Sequence, residues 1–150
     1  MNYSPAYILS QYLIDEGLAV EPSDSGDWPI FVASLPDGDE IPDDAIASID
    51  TAGVKDGRLN ETGENIIHYG VQIIVRSEIH DYLSGYTKAQ AIESKLETVD
   101  RNEVMIDSGN VFRLDNVSTT SGVVAIGQEE ENSKRRNLFS CNFLVTLKEI

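Results

Sequence analysis

An imidazole beside a carboxylate is the pair from which enzymes build a general base and its orienting acceptor, and His80-Asp81 supplies it here. A hydrolase on this pair would also need a nucleophile on a strained turn, and the sequence offers none. The other histidine, His68, falls on the even face of an alternating run with Gly70 and Gln72, where it reads as a surface residue. Metal chemistry finds little more. Asp37, Asp39, Glu40, Asp43 and Asp44 crowd one segment, but an EF-hand needs oxygen ligands at loop positions one, three and five and glycine at six. Counted from Asp37, the fifth position is Ile41 and the sixth is Pro42. An exposed acidic loop over 36–44 that condenses cations weakly is the expectation. Cys141 has neither a partner cysteine nor a neighbouring histidine, so it makes no internal disulfide and no zinc site. No GxxxxGK[ST] and no strand-bound GxGxxG occurs. The sequence therefore predicts no catalytic residue, no cofactor and no metal-ligand set.

Basic residues cluster only at Lys134, Arg135 and Arg136, behind Glu129, Glu130 and Glu131. One reading is a hairpin tip with local ion pairs, each worth about 0.2–1 kcal/mol. The other is a two-signed tip that meets a neighbouring subunit, opposite charges fixing its orientation. These six residues are the candidate interface, with Asp37, Asp39, Glu40, Asp43 and Asp44 as the candidate acidic loop.

The elements that must carry these groups follow from patterning. Ser4-Pro5 is an N-cap with proline at the first helical position, Ile8, Leu9, Tyr12 and Leu13 share one helical face, and Gly17 offers a stop. A helix over about 4–16 is predicted. WPIFVASL (28–35) reads as a strand whose Pro29 belongs at its first residues or on a sheet edge. AIASID (45–50) is a second strand, and the glycine-rich 53–64 a flexible excursion. Tyr69, Val71, Ile73 and Val75 alternate against Gln72 and Arg76 in a half-buried strand over about 65–77. Tyr86, Ala89, Ile92, Leu96 and Val99 form one apolar stripe, a helix over roughly 82–98 capped by Asp81 or Ser84. Strands follow near 103–107, 110–118 and 122–128, then the cleanest one over 138–148, with 127–137 as a long charged hairpin loop. This predicts a single α+β domain spanning 1–150, with a mainly antiparallel sheet (a mixed one is the alternative) and two helices, most simply on one face.

Composition agrees with a globular chain: 150 residues, 41% hydrophobic and 25% charged. The strongest bulk signal is a net charge of −15. It is uneven, since residues 1–54 hold 11 acids and no Lys or Arg. Such a protein does not adhere to nucleic acid or anionic membrane by charge attraction. Tyr7, Tyr12, Tyr69 and Tyr86 read as core or core-edge positions and Trp28 as core, so no aromatic platform for bases is expected. The absence of a basic n-region, of a long apolar run and of a second cysteine predicts a soluble protein made in a cytoplasm.

Several stretches occur together in a recognisable order: WPIFVASLP, then IDTAG at 49–53, then YGVQIIVRSEIHDYLSGYTKAQAIESKLETV at 69–99, and finally IGQEEENSKRRNLFSCNFLVTL. Through most of its length the chain resembles the phage minor capsid and tail terminator proteins of long-tailed bacteriophages. The acidic loop 36–44 departs from that pattern. The resemblance implies a non-enzymatic virion protein, assembled in the host cytoplasm, that forms a homo-oligomeric ring of about six copies. It also implies a seat on the tail tube protein at the head-proximal end, facing the head–tail connector or stopper protein. DNA then passes through the lumen without specific binding, and no membrane is involved. Two other readings compete: a different neck or tail-completion protein of similar fold, and an acidic DNA mimic that inhibits a nucleic-acid enzyme. Most N-terminal acids lie in predicted loops and not on a rigid phosphate-like array, which weighs against the mimic.

Overall fold

Ser4 and Pro5 do what their types require. The Ser4 hydroxyl accepts from the Tyr7 N–H at 3.2 Å, and helix α1 runs over Pro5–Asp15. It stops at Gly17, whose φ of +77° suits the left-handed cap, while the Leu18 N–H returns to the Leu13 carbonyl at 3.0 Å. The computed structural model describes residues 2–36, 41–58, 65–131 and 134–150. After α1 come β1 (Ile30–Val32), β2 (Ala45–Arg58), β3 (Asn65–Glu78), α2 (Tyr82–Leu96), β4 (Asp100–Asp107), β5 (Asn110–Glu131) and β6 (Lys134–Glu149). The six strands form one sheet in the order β1-β2-β3-β6-β5-β4. The sheet is mixed: β1 pairs parallel to β2, and every other pairing is antiparallel.

Alternation sorts the central strands. Val71, Ile73 and Val75 of β3 stand opposite Phe143, Cys141 and Phe139 of β6, and all six are buried. Ile8, Leu9 and Leu13 of α1 and Ala89, Ile92 and Leu96 of α2 join the same cluster. Each fully buried side chain of this size stabilises the fold by about 1.5–3 kcal/mol before conformational entropy is counted. The opposite face of β3 and β6 is not bare. Gln72 donates to the Ser140 hydroxyl at 2.9 Å, and Ile74 and Leu144 are half-buried.

Several elements differ from what the patterning predicts. β1 is only three residues long because Trp28 (φ +65°) and Ala33 (φ +79°) flank it in the left-handed region, where a strand cannot continue. Pro29 precedes this edge strand, as its missing N–H demands. β2 extends to Arg58 and β3 begins at Asn65, so half of the expected 53–64 excursion is strand; residues 59–64 lie outside the described ones. The two segments near 110–118 and 122–128 are one strand, β5, whose ladder to β6 is interrupted by bulges between Leu114 and Asn116 and again from Thr119 to Gly127. Of the expected loop 127–137, residues 127–131 and 134–137 are strand, and residues 132 and 133 lie outside the described ones. The register sets Glu129 opposite Arg136, Glu130 opposite Arg135 and Glu131 opposite Lys134. Opposite charges placed directly across an antiparallel ladder support pairing, so a polar run can still be strand.

Gly85 marks the closest approach of α2 to the sheet. A Cβ built there would stand 2.5 Å from Ser77 Oγ and 2.6 Å from Phe139 Cε2. Alanine improves helix propensity by about 1 kcal/mol over glycine, but overpacking costs about 1–3 kcal/mol. Gly85→Ala is therefore expected to lower stability in urea unfolding by about 1 kcal/mol, against the gain that the exchange gives in an exposed helix.

Candidate functional site

Two arginines decide the layout of one end of the sheet. Arg76 on β3 and Arg136 on β6 are 0% and 1% exposed. They fall on the same face, one pair apart, since Arg76 is opposite Leu138 and Glu78 is opposite Arg136. The Arg76 guanidinium donates to three backbone carbonyls: Pro36 at 2.9 Å, Pro42 at 2.9 Å and Asp43 at 3.1 Å. Arg136 Nε donates to Asp43 Oδ1 at 2.9 Å. Arg76 shares the face of Gln72, as the patterning has it, but it is not exposed there, because the backbone at Pro36, Pro42 and Asp43 covers it.

The acids then fall around one corner. Asp27, Asp43, Asp44, Glu78 and Asp81 line an open cavity of about 440 Å³. Asp44 accepts from the Glu78 N–H at 3.4 Å, and Asn137 donates to the carbonyls of Glu78 and Ile79 at 3.0 and 3.3 Å. Burial pushes the Asp44 carboxyl above the usual range, the Glu78 N–H opposes this, and Asp81, Asp43 and Asp27 add to the rise. Among the described residues no three His, Cys, Asp or Glu side chains are arranged to hold a metal ion.

Of the sequence-predicted acidic loop, Asp43 and Asp44 belong to this corner, while Asp37, Asp39 and Glu40 lie outside the described residues. Of the predicted interface residues, Arg135 is exposed and Arg136 is interior. The side chains of Glu129, Glu130, Glu131 and Lys134 lie outside the described ones, though their backbones pair in the β5–β6 ladder. Arg76, Asp27, Glu78 and Asp81 were missed as members of one group, because the turn before β1, strand β3 and the start of α2 are brought together only by tertiary folding.

The histidines separate. His80 is exposed, and the Asp81 carboxylate beside it accepts from the Ser84 N–H at 3.3 Å as the α2 cap. His68 is not a simple surface residue. Its Nδ1 lies 2.7 Å from Thr146 Oγ1 and its Nε2 bonds Asp56, which ties β2 and β6 across β3. Hydroxyl, imidazole and carboxylate follow the order of a triad, but they span an open sheet face, and neither described cavity is lined by any of them. Cys141 is buried on the core face, and burial pushes its thiol up to about 12, which keeps it protonated and inert.

The model of a family described as bacteriophage tail terminator protein matches residues 12–147. The chain belongs to that family. Its role is accordingly structural, in the phage tail. Among solved structures it is similar to a chain of the virion of a native gene transfer agent particle, at 10% identity, 97% coverage of this chain, 96% of that one and a TM-score of 0.53. A second solved chain, 13% identical over 97% of each chain, superposes at a TM-score of 0.43, too distant to carry an argument. No curated protein matches the sequence. The first likeness shows that the fold of the tail terminator family member described here also occurs in a virion particle. No helix among the described residues is long and apolar enough to cross a membrane.

Two outcomes follow from the corner's geometry. Arg76→Met strands three carbonyls at once, and is expected to cost about 3 kcal/mol in urea unfolding. Asp44 behaves oppositely to a salt-bridged aspartate. With its folded pKa above its unfolded value, its stabilising contribution is present below 3.8 and is lost as pH rises through the folded value. Asp44→Asn keeps an oxygen for the Glu78 N–H and is expected to match or exceed the parent's stability at neutral pH, the advantage vanishing in acid; a less stable variant at neutral pH counts against desolvation of the carboxylate as the leading cause.

Proposed function

We propose that the protein is the terminator ring of a phage tail: about six copies seated on the tail tube at its head-proximal end, stopping tube polymerisation and joining the tail to the head connector. The observation that carries this reading is the family match over residues 12–147. We infer also that both helices lie on one face of the sheet, supported by their joint contribution to the core built on Val71, Ile73 and Val75. Termination needs two unlike faces, one that mimics a tube subunit and one that lacks the surface for further growth. The sheet ends on two different edges, the three-residue β1 and the eight-residue β4, so a head-to-tail arrangement has unlike edges to work with. Backbone pairing across such edges is geometrically specific and suits a closed ring. No catalytic step is part of the reading, and DNA is a passenger repelled by the acidic charge.

Closure has an electrostatic opponent. Six copies bring together six times a net charge of −15, and salt screens such repulsion with a Debye length of about 10 Å at 0.1 M. Purified protein is expected to form rings in electron micrographs, more completely at about 500 mM than at about 20 mM salt. Equal assembly at both would mean that the acids do not face one another across the joint. Monomers at every salt concentration, with no ring on isolated tails, would sink the ring itself.

A further inference from the structure

A second cavity opens beside the acidic one where the start of α2 meets the turn before β1, and the two share Trp28 and Asp81. It measures about 430 Å³, with Trp28 on one side and Leu83, Thr87 and Ala91 of α2 on the other. Those three helix positions are four apart and form a single ridge off the core stripe. Leu83 is 73% exposed and its neighbour Tyr82 46%, although leucine and tyrosine gain by burial. Trp28 is fixed in advance. Lys88 Nζ lies 5.3 Å over its ring while donating to the Leu18 carbonyl at 3.0 Å. An apolar groove with a preset aromatic wall, continuous with a pocket of carboxylates, has the anatomy of a protein interface: a hydrophobic anchor site and a charged rim.

We propose that this groove docks a segment of a different protein that sets an aliphatic or aromatic side chain between Trp28 and Leu83 and an adjacent Lys or Arg in the acidic cavity. Charge chooses the occupant. The half-buried Asp44 carboxyl is hard to ionise, through desolvation first and through Asp81, Asp43 and Asp27 beside it, and an incoming cation relieves that field. A second copy of this chain fits poorly. Its basic run, 134–136, lies at the same end as the acidic cavity, since Arg136 reaches Asp43 within one molecule. Arg136 is interior already, and a copy bringing this end to the cavity would set its own acidic corner beside the first, like charge against like charge. The inference goes beyond the terminator reading and holds for any number of copies.

Trp28 is the single tryptophan, so its fluorescence reports the groove directly. The full chain is titrated with a synthetic peptide alternating leucine and arginine, with leucine–glutamate and serine–arginine peptides as controls. A saturable change with the first peptide alone is expected, weakened about tenfold or more in Leu83→Ser and in the double variant Asp27→Asn with Asp81→Asn. Leu83 is exposed, and asparagine still caps α2, so both variants keep the fold. An equal response to serine–arginine, an unchanged response in Leu83→Ser, or no response to leucine–arginine overturns the proposal. Electron microscopy of Leu83→Ser supplies the second arm. Parent-like self-assembly supports a foreign occupant, and loss of self-assembly that the parent shows would give the groove to another copy and overturn it.

Discussion

A guanidinium withdrawn from water must find its acceptors inside the protein, and Arg76 finds them in the backbone of a loop. Dehydrating such a group costs several kcal/mol, so the carbonyls of Pro36, Pro42 and Asp43 are not optional partners. The chain must come back over β3 at both ends of the acidic segment. Proline suits two of the three positions, because its fixed φ presents the carbonyl with less entropy to lose.

Asp43 and Asp44 inherit their place at that corner from this contact. Asp43 gives its carbonyl to Arg76 and its carboxylate to Arg136, so one residue bridges β3 and β6 to the loop. Both guanidiniums point inward. The acids that remain, Asp27, Asp44, Glu78 and Asp81, surround a cavity without either arginine turned toward its mouth.

Much of the frame was legible in the residues. Capping chemistry at Ser4-Pro5 and Asp81, the stripe of α2 and the alternation of β3 and β6 rest on local rules, and local rules hold where one face is buried. What failed was non-local. The pairing of Glu129–Glu131 with Lys134–Arg136 reads as a loop from polarity, because a ladder's partners cannot be seen in one strand. Arg76 reads as an exposed residue because its acceptors lie some forty residues away. The acidic corner draws on four segments, and no spacing announces it. One local hint was present at the groove: Leu83 stands off the stripe set by Tyr86, Ala89 and Ile92, and an apolar residue there faces outward.

The direction of these charges also bears on how copies can associate. Residues 1–54 carry 11 acids and no Lys or Arg, and the fold turns two of the bases supplied later, Arg76 and Arg136, into the interior beneath them. A two-fold contact through the acidic corner would set that surface against itself, like charge on like charge. A heterologous contact sets it against something else. Self-repulsion at this corner thus weighs more on that two-fold contact than on arrangements that set the corner against a different surface. The same asymmetry that keeps the corner free of its own kind leaves it open to a partner bearing cations.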